Sequence, residues 1–224
     1  MSLVRRWIHL PVPVPSGRAV ALGAVVGGVA SLPLLRGWAI THGATDAELA
    51  ARLPGDDVVP RANVVATRAI AIAAPPEDVW PWLVQIGQGR GGFYSFDWLG
   101  NTLGLDIHSA DAIEQRWQDL AVGGLVPLAK DVALEAVVVD TPRALVLHGT
   151  VARGATSPPF DFTWAFVLVP RPDGTSRLVV RERYGYTRRW ASLVVEPIQA
   201  ISTIMTIGML RGIRSRAEGP TPAR

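Results

Sequence analysis

From Gly124 onward the chain adopts a two-residue period, and this constrains the fold more than any other feature. Strand-like runs occupy Gly124 to Leu128, Val132 to Val139, Ala144 to Gly149, Phe160 to Val169 and Arg177 to Tyr184. Thr141-Pro142, the loop from Gly154 to Pro159, and Pro172-Asp-Gly174 punctuate them. Connections this short suit hairpins and therefore an antiparallel sheet, to which an earlier run, Val64 to Ala74, adds a first strand. The last element, Trp190 to Ile213, is too long for a strand. It is apolar enough to suggest a membrane span, but it contains Glu196, Pro197, Gln199 and several hydroxyls. A central acid alone costs about 3 kcal/mol on insertion, so a helix buried in the domain is expected. The fold class that follows is α+β.

Between the first strand and the others lies Pro75 to Asp111, the densest run of aromatic, glycine and acidic residues. Pro75 and Pro76 stop the strand, and Glu77 and Asp78 fall where a first helical turn favours negative charge. Val79, Leu83 and Ile86 then form an apolar stripe flanked by Trp80 and Trp82, which predicts a short helix lying on the sheet and ending at Gly87. Gly87 to Gly92 spells G-x-G-x-x-G. A dinucleotide loop of that pattern follows a strand and opens a helix within a parallel βαβ unit, and none of this holds here. An adaptable loop is the better reading. Phe93, Tyr94, Phe96 and Trp98 crowd together after it, with Asp97, Asn101, Asp106 and His108 among them. Ser109 is expected to cap a helix over Ala110 to Trp117, with Asp111 and Glu114 near its positive end.

The early strand, P-P-E-D-V-W-P-W-L, G-x-G-x-G-G-F-Y-S-F-D-W-L and the long terminal helix together resemble the SRPBCC superfamily, which includes START-type lipid binders, pollen-allergen-like proteins and polyketide cyclases. The segment is similar to a bacterial branch sharing A-T-D-A-E and L-P-G-D-D, here Ala44 to Glu48 and Leu53 to Asp57. The resemblance runs from about Thr41 to Ala217. It implies a helix-grip fold: a curved antiparallel sheet wrapped around the C-terminal helix, with a ligand cavity between them. On that placement Ile201, Ile204, Met205, Gly208 and Met209 face the cavity. Ligand-binding residues are expected at Phe93, Tyr94, Trp98, Phe162, Trp164, Phe166, Tyr184, Ile201, Met205 and Met209.

Charge is distributed unevenly along the chain. Residues 1–36 carry four arginines and no acid, residues 37–170 carry eight bases and fifteen acids, and residues 171–224 carry ten bases and four acids. Basic ends suit an anionic membrane surface. No basic groove with interleaved aromatics supports nucleic acid as a partner. The absence of cysteine excludes disulfides and thiolate chemistry. Ala19 to Leu35 is seventeen residues without a charge, about 25 Å as a helix. It reads as a membrane anchor, with a cleaved secretory signal and a buried or amphipathic helix as the alternatives. The anchor reading gives a single-pass protein of the cell membrane, its sidedness only loosely set by the flanking arginines. The expected organisation is 1–40 for the basic segment and transmembrane helix, 41–62 for a connecting segment, 63–217 for the helix-grip domain, and 218–224 for a disordered tail.

Groups able to move protons are Asp97, Asp106, His108, Asp111, Glu135, His148 and Glu182, and they form no decisive constellation. Asp106-x-His108-x-x-Asp111 matches no strong metal motif, and no metal or other cofactor is expected. His148 reads as a structural histidine. Arg181, Glu182 and Arg183 alternate across a strand and are read as a solvated ladder; a Glu182 that points inward must be paired or hold its proton. Three functions remain open. The first is a non-catalytic binder of an apolar small molecule or lipid at a membrane. The second is a cyclase-like or hydrolase-like enzyme using Asp97, His108 or Glu182. The third is an interaction module whose core is filled. Oligomeric state is not readable.

Overall fold

The computed structural model describes residues 34–102, 104, 106–130, 132–149 and 158–219. Apart from its last two residues, the expected anchor, Ala19 to Leu35, lies outside these, as does most of the expected tail. The chain divides into Met1–Gly37 and Trp38–Arg224, and the second unit carries the sheet.

Six strands form one antiparallel sheet: β1 (Val64–Ile72), β2 (Leu125–Ala129), β3 (Val132–Asp140), β4 (Ala144–Gly149), β5 (Phe160–Pro170) and β6 (Ser176–Tyr186), in the spatial order β1-β6-β5-β4-β3-β2. Each expected run lies within two residues of an observed strand. β2 to β6 make a meander, and β1 pairs with β6 from Val64↔Tyr184 to Ile72↔Ser176. The chain between β1 and β2 therefore has to travel from one sheet edge to the other. Register shifts at Pro127/Ala129 and Ala136/Val138 each insert an extra residue, and such bulges bend and twist a sheet. α4 (Ser192–Ala217) packs on one face, which completes a helix-grip arrangement.

The chain between the edges carries α2 (Pro76–Val84), α3 (Asp97–Thr102) and a 3-10 turn at Gln115–Trp117; α1 (Asp46–Ala50) precedes β1. Val79, Trp80, Trp82, Leu83 and Val84 of α2 are buried, together with Ile86 beyond it. They join Phe166, Leu145, Leu147, Leu178, Val180, Met209 and Ile213 in one core, where each full burial contributes about 1.5–3 kcal/mol.

The expected helix over Ala110 to Trp117 is absent apart from its last turn. Ser109 cannot cap it, because its hydroxyl and its N–H both donate to the Asp97 carboxylate, at 2.6 and 2.7 Å. Asp111 is drawn instead to Arg216, and the Glu114 N–H is taken by Gln85 Oε1. The G-x-G-x-x-G loop folds on itself, Gly87 and Gly92 exchanging both backbone hydrogen bonds. A Cβ at Gly92 would fall within 2.7 Å of the His108 carbonyl oxygen, which accounts for a glycine there.

The face of the sheet away from α4 is not solvated as the ladder reading expected. Arg177, Arg181 and Arg183 are covered by residues 43–60. Arg181 donates to Thr67 Oγ1, to the Glu48 and Ala51 carbonyls and to Asp56, the last at 2.8 Å. Arg177 makes two bonds to Glu48, and Arg183 reaches Asp56 and the Val59 carbonyl. The two short motifs thus have structural duties. Thr45 and Glu48 form a capping box on α1, which leaves a Glu48 oxygen for Arg177, and Asp56 also fastens the Leu53 N–H.

Candidate functional site

Alternation along β5 and β6 determines what faces α4. Phe162, Trp164, Phe166 and Leu168 pair directly with Tyr184, Glu182, Val180 and Leu178. On β1, Ala66 stands opposite Glu182 and Arg68 opposite Val180. An acid and a base are therefore placed beneath the helix, beside an aromatic wall.

The ionic half is closed. Arg68 and Glu182, 0% and 1% exposed, meet at 3.1 Å. Arg68 also donates through Nε to the Ala39 carbonyl and through Nη2 to Thr203 Oγ1. Glu182 accepts from Ser202 Oγ, Thr206 Oγ1 and the Tyr184 hydroxyl, at 2.8, 2.9 and 3.1 Å. Gln199 completes the set by donating to Thr203 Oγ1. A carboxylate with a guanidinium and three hydroxyl donors is stabilised as an anion, which suits a fixed charge better than a proton shuttle. Burial first, and then the neighbouring carboxylate, push the Tyr184 phenol far above its ordinary range, so it remains a donor.

The aromatic half is differently satisfied. Ring contacts run from Phe93 to Trp164 at 6.2 Å and from Trp164 to Phe166 at 4.8 Å, and Phe162 stacks against Tyr184 at 4.8 Å. Trp164 is 9% exposed, yet its indole Nε1–H has no hydrogen-bond partner. The Tyr94 hydroxyl lies near the Gln85 side chain but makes no hydrogen bond of good geometry, and burial raises its ionisation well above normal. Buried donors without acceptors are uncommon, and each has a desolvation cost.

The loop from Phe93 to Phe96 is fastened to α4. Gly208 and Gly212 let it approach: a Cβ on the first would come within 2.6 Å of Ser95 Oγ, and one on the second would fall on the Tyr94 carbonyl oxygen. Ser95 Oγ donates to the Met205 carbonyl. Tyr94 takes a positive φ of 53°, held by its N–H donating to Ser109 Oγ, and Arg216 lies over its ring.

Of the residues expected to bind ligand, Phe93, Tyr94, Trp164, Phe166 and Met209 share the main core, with Phe162 packed against it. Tyr184 belongs to an adjoining cluster with Val64 and Val195, and Met205 is half-buried. Trp98, 68% exposed, and Ile201 stand at the surface instead, as does Ile204. The three acid–base candidates are held apart by different partners. Asp97 binds Ser109, His108 is an exposed neighbour of Asp106, and Glu182 is enclosed; no hydrogen bond or ion pair joins any two of them. His148 bonds Asp161 at 2.7 Å. Among the described residues no group of three His, Asp or Glu side chains is arranged to hold a metal. A separate cleft of about 250 Å³ opens beside Arg90, lined by Arg116, Trp117, Asp119 and Leu125.

The sequence reading missed Arg68, Gln199, Ser202, Thr203 and Thr206. Their signal was present as one arginine inside an apolar strand and polar residues recurring at three- and four-residue steps on the terminal helix.

No family model matches the chain, and no curated protein matches it in sequence. Similar solved structures include protein Ms6760 of Mycobacterium smegmatis, with 15% identity, 70% of this chain and 91% of that one covered, and a TM-score of 0.44. The HSP90 activator PFC0360w of Plasmodium falciparum gives 12%, 66%, 94% and 0.42 in the same order. Norcoclaurine synthase of Thalictrum flavum gives 15%, 69%, 93% and 0.40. Such values carry no chemistry, and the helix-grip assignment rests on the strand order and on the helix that crosses the sheet.

Proposed function

We propose that the protein is a membrane-tethered, non-catalytic binder of an apolar small molecule or lipid, held between the aromatic half of the sheet and α4. The observation that carries this reading is the buried, unpartnered indole Nε1–H of Trp164, set in a wall of Phe93, Phe162 and Phe166. Binding sites for such ligands are mostly apolar with a few polar groups that fix orientation, and a lone buried donor selects a chain carrying one oxygen acceptor. An isoprenoid-like alcohol or a ketone meets that description. The enclosed state of Glu182 favours binding over proton transfer. The tether is the uncharged stretch Ala19 to Leu35, on its length and flanking arginines.

Native mass spectrometry of the full chain released from mild detergent tests this. An apolar adduct is expected, and Trp164→Phe should weaken its retention about 2- to 10-fold, the worth of one neutral hydrogen bond. A protein that carries no adduct and takes up no farnesol in titration would contradict the reading.

A further inference from the structure

α4 is inside out over its first four turns. The side chains it turns toward the sheet include Gln199, Thr203 and Thr206, all buried, whereas Leu193 is 77% exposed and Ile204 53% exposed. Leu193, Pro197, Ile201 and Ile204 follow one another at steps of four, four and three residues, so they make one outward stripe. Trp190 is exposed at its beginning. At the other end the stripe continues onto Phe96, whose ring lies against Gly208, and exposed Trp98 follows two residues later. Trp38 is exposed as well, next to Ala39, whose carbonyl receives Arg68 from beneath α4.

Charge brackets this surface. Arg188 and Arg189 are exposed just before Trp190. Arg211 is exposed and lies eighteen residues after Leu193, about five helical turns, and so on the same line. Arg214 is exposed one turn further. The helix has a single acid, Glu196, which is half-buried and off the stripe.

We propose that the outward face of α4, with Trp190, Phe96 and Trp98, is a docking surface for an anionic lipid bilayer, on which the helix lies flat. Tryptophans at the rim and arginines at both ends of an apolar stripe match the layering of a bilayer interface, where rings sit at headgroup depth and guanidinium groups meet lipid phosphates. Although α4 is long and apolar enough to cross a membrane, it does not do so. Removing it from the sheet would strip Ser202, Thr203 and Thr206 from Arg68 and Glu182 and leave that pair uncovered. The surface is independent of whether the aromatic half holds a ligand, so either proposal can fail alone.

The chain has no cysteine, so single sites can be labelled without further change. The full chain is reconstituted into phosphatidylcholine vesicles with and without phosphatidylglycerol. A bimane is attached to Ile201→Cys, to Ile204→Cys in a second variant, and to Asp173→Cys, which lies at the exposed turn between β5 and β6, as the control. The expected result is about a twofold or greater loss of emission at 201 and 204 with nitroxide lipid labelled in the upper acyl chain, in the anionic vesicles, and no loss at 173. Equal iodide access at all three sites would overturn the proposal. So would protection at 201 and 204 without lipid quenching but with cross-linking between two chains, since the stripe would then serve a second copy.

Discussion

The two faces of the sheet hold their charges by opposite means, although one strand supplies both. From β6, Arg177, Arg181 and Arg183 go outward and Glu182 goes inward. Outside, the arginines are met by an irregular segment, residues 43–60, whose carbonyls and carboxylates remain close to water. Inside, Glu182 meets Arg68 under a helix, beyond the reach of water. A lost contact outside can be replaced by solvent; a lost contact inside cannot.

Cutting the inner pair is expected to have the largest effect. Glu182→Ala leaves Arg68 buried without its counter-charge, a loss of about 3–5 kcal/mol. Arg68→Met combined with Glu182→Leu should recover most of that, because two apolar groups need no partner. Denaturant unfolding of the three chains measures both. Equal destabilisation by the single and double variants would show that shape, not charge, matters at this position.

On the outer face, Arg181→Met removes charged hydrogen bonds whose acceptors can turn to water, so a smaller cost of about 1.5–3 kcal/mol is expected. Hydrogen exchange should locate it: amides of residues 44–59 lose protection while the α4 amides keep theirs. Protection lost equally on both faces would erase the distinction between them.

The smallest effects belong to the α1 capping box. Thr45→Ala should cost about 1 kcal/mol, read from the unfolding midpoint. Hydrogen bonding from Arg177 holds the Glu48 carboxyl below its ordinary value, against the opposing effect of burial. A depressed carboxylate stabilises the fold fully above its unfolded pKa of about 4.3, and the contribution is lost as pH falls through the lower folded value. Exchange protection of α1 should therefore fall on acidification in the natural chain and change little in Glu48→Gln.

How much of this the sequence discloses depends on how far apart the partners lie. The strands were readable because alternation is local, and α2 because its prolines, acids and apolar stripe fall within a dozen residues. Ser109 was misread because its acceptor, Asp97, lies twelve residues back and outbids a local cap. The outer arginines looked solvated because a strand's alternation tells which residues share a face and nothing of what covers it. Arg68 and Glu182, 114 residues apart, meet only once β1 closes on β6, so the inner pair followed from no local pattern. Eight of the ten aromatic, isoleucine and methionine positions singled out for ligand binding are buried or half-buried, but Trp98 and Ile201 project outward, where the proposed membrane surface uses them.

The most direct test is the indole signal of Trp164. In nitrogen-15 spectra of the full chain labelled at tryptophan, the Nε1–H resonance that disappears in Trp164→Phe can be assigned among the eight tryptophans. On titration with farnesol it is expected to move downfield as its proton gains an oxygen acceptor, while the resonances of Trp80 and Trp82 stay in place. If the Trp164 signal remains fixed while farnesol binds elsewhere, or does not bind at all, the aromatic half of the sheet is a filled core and the binding account is wrong.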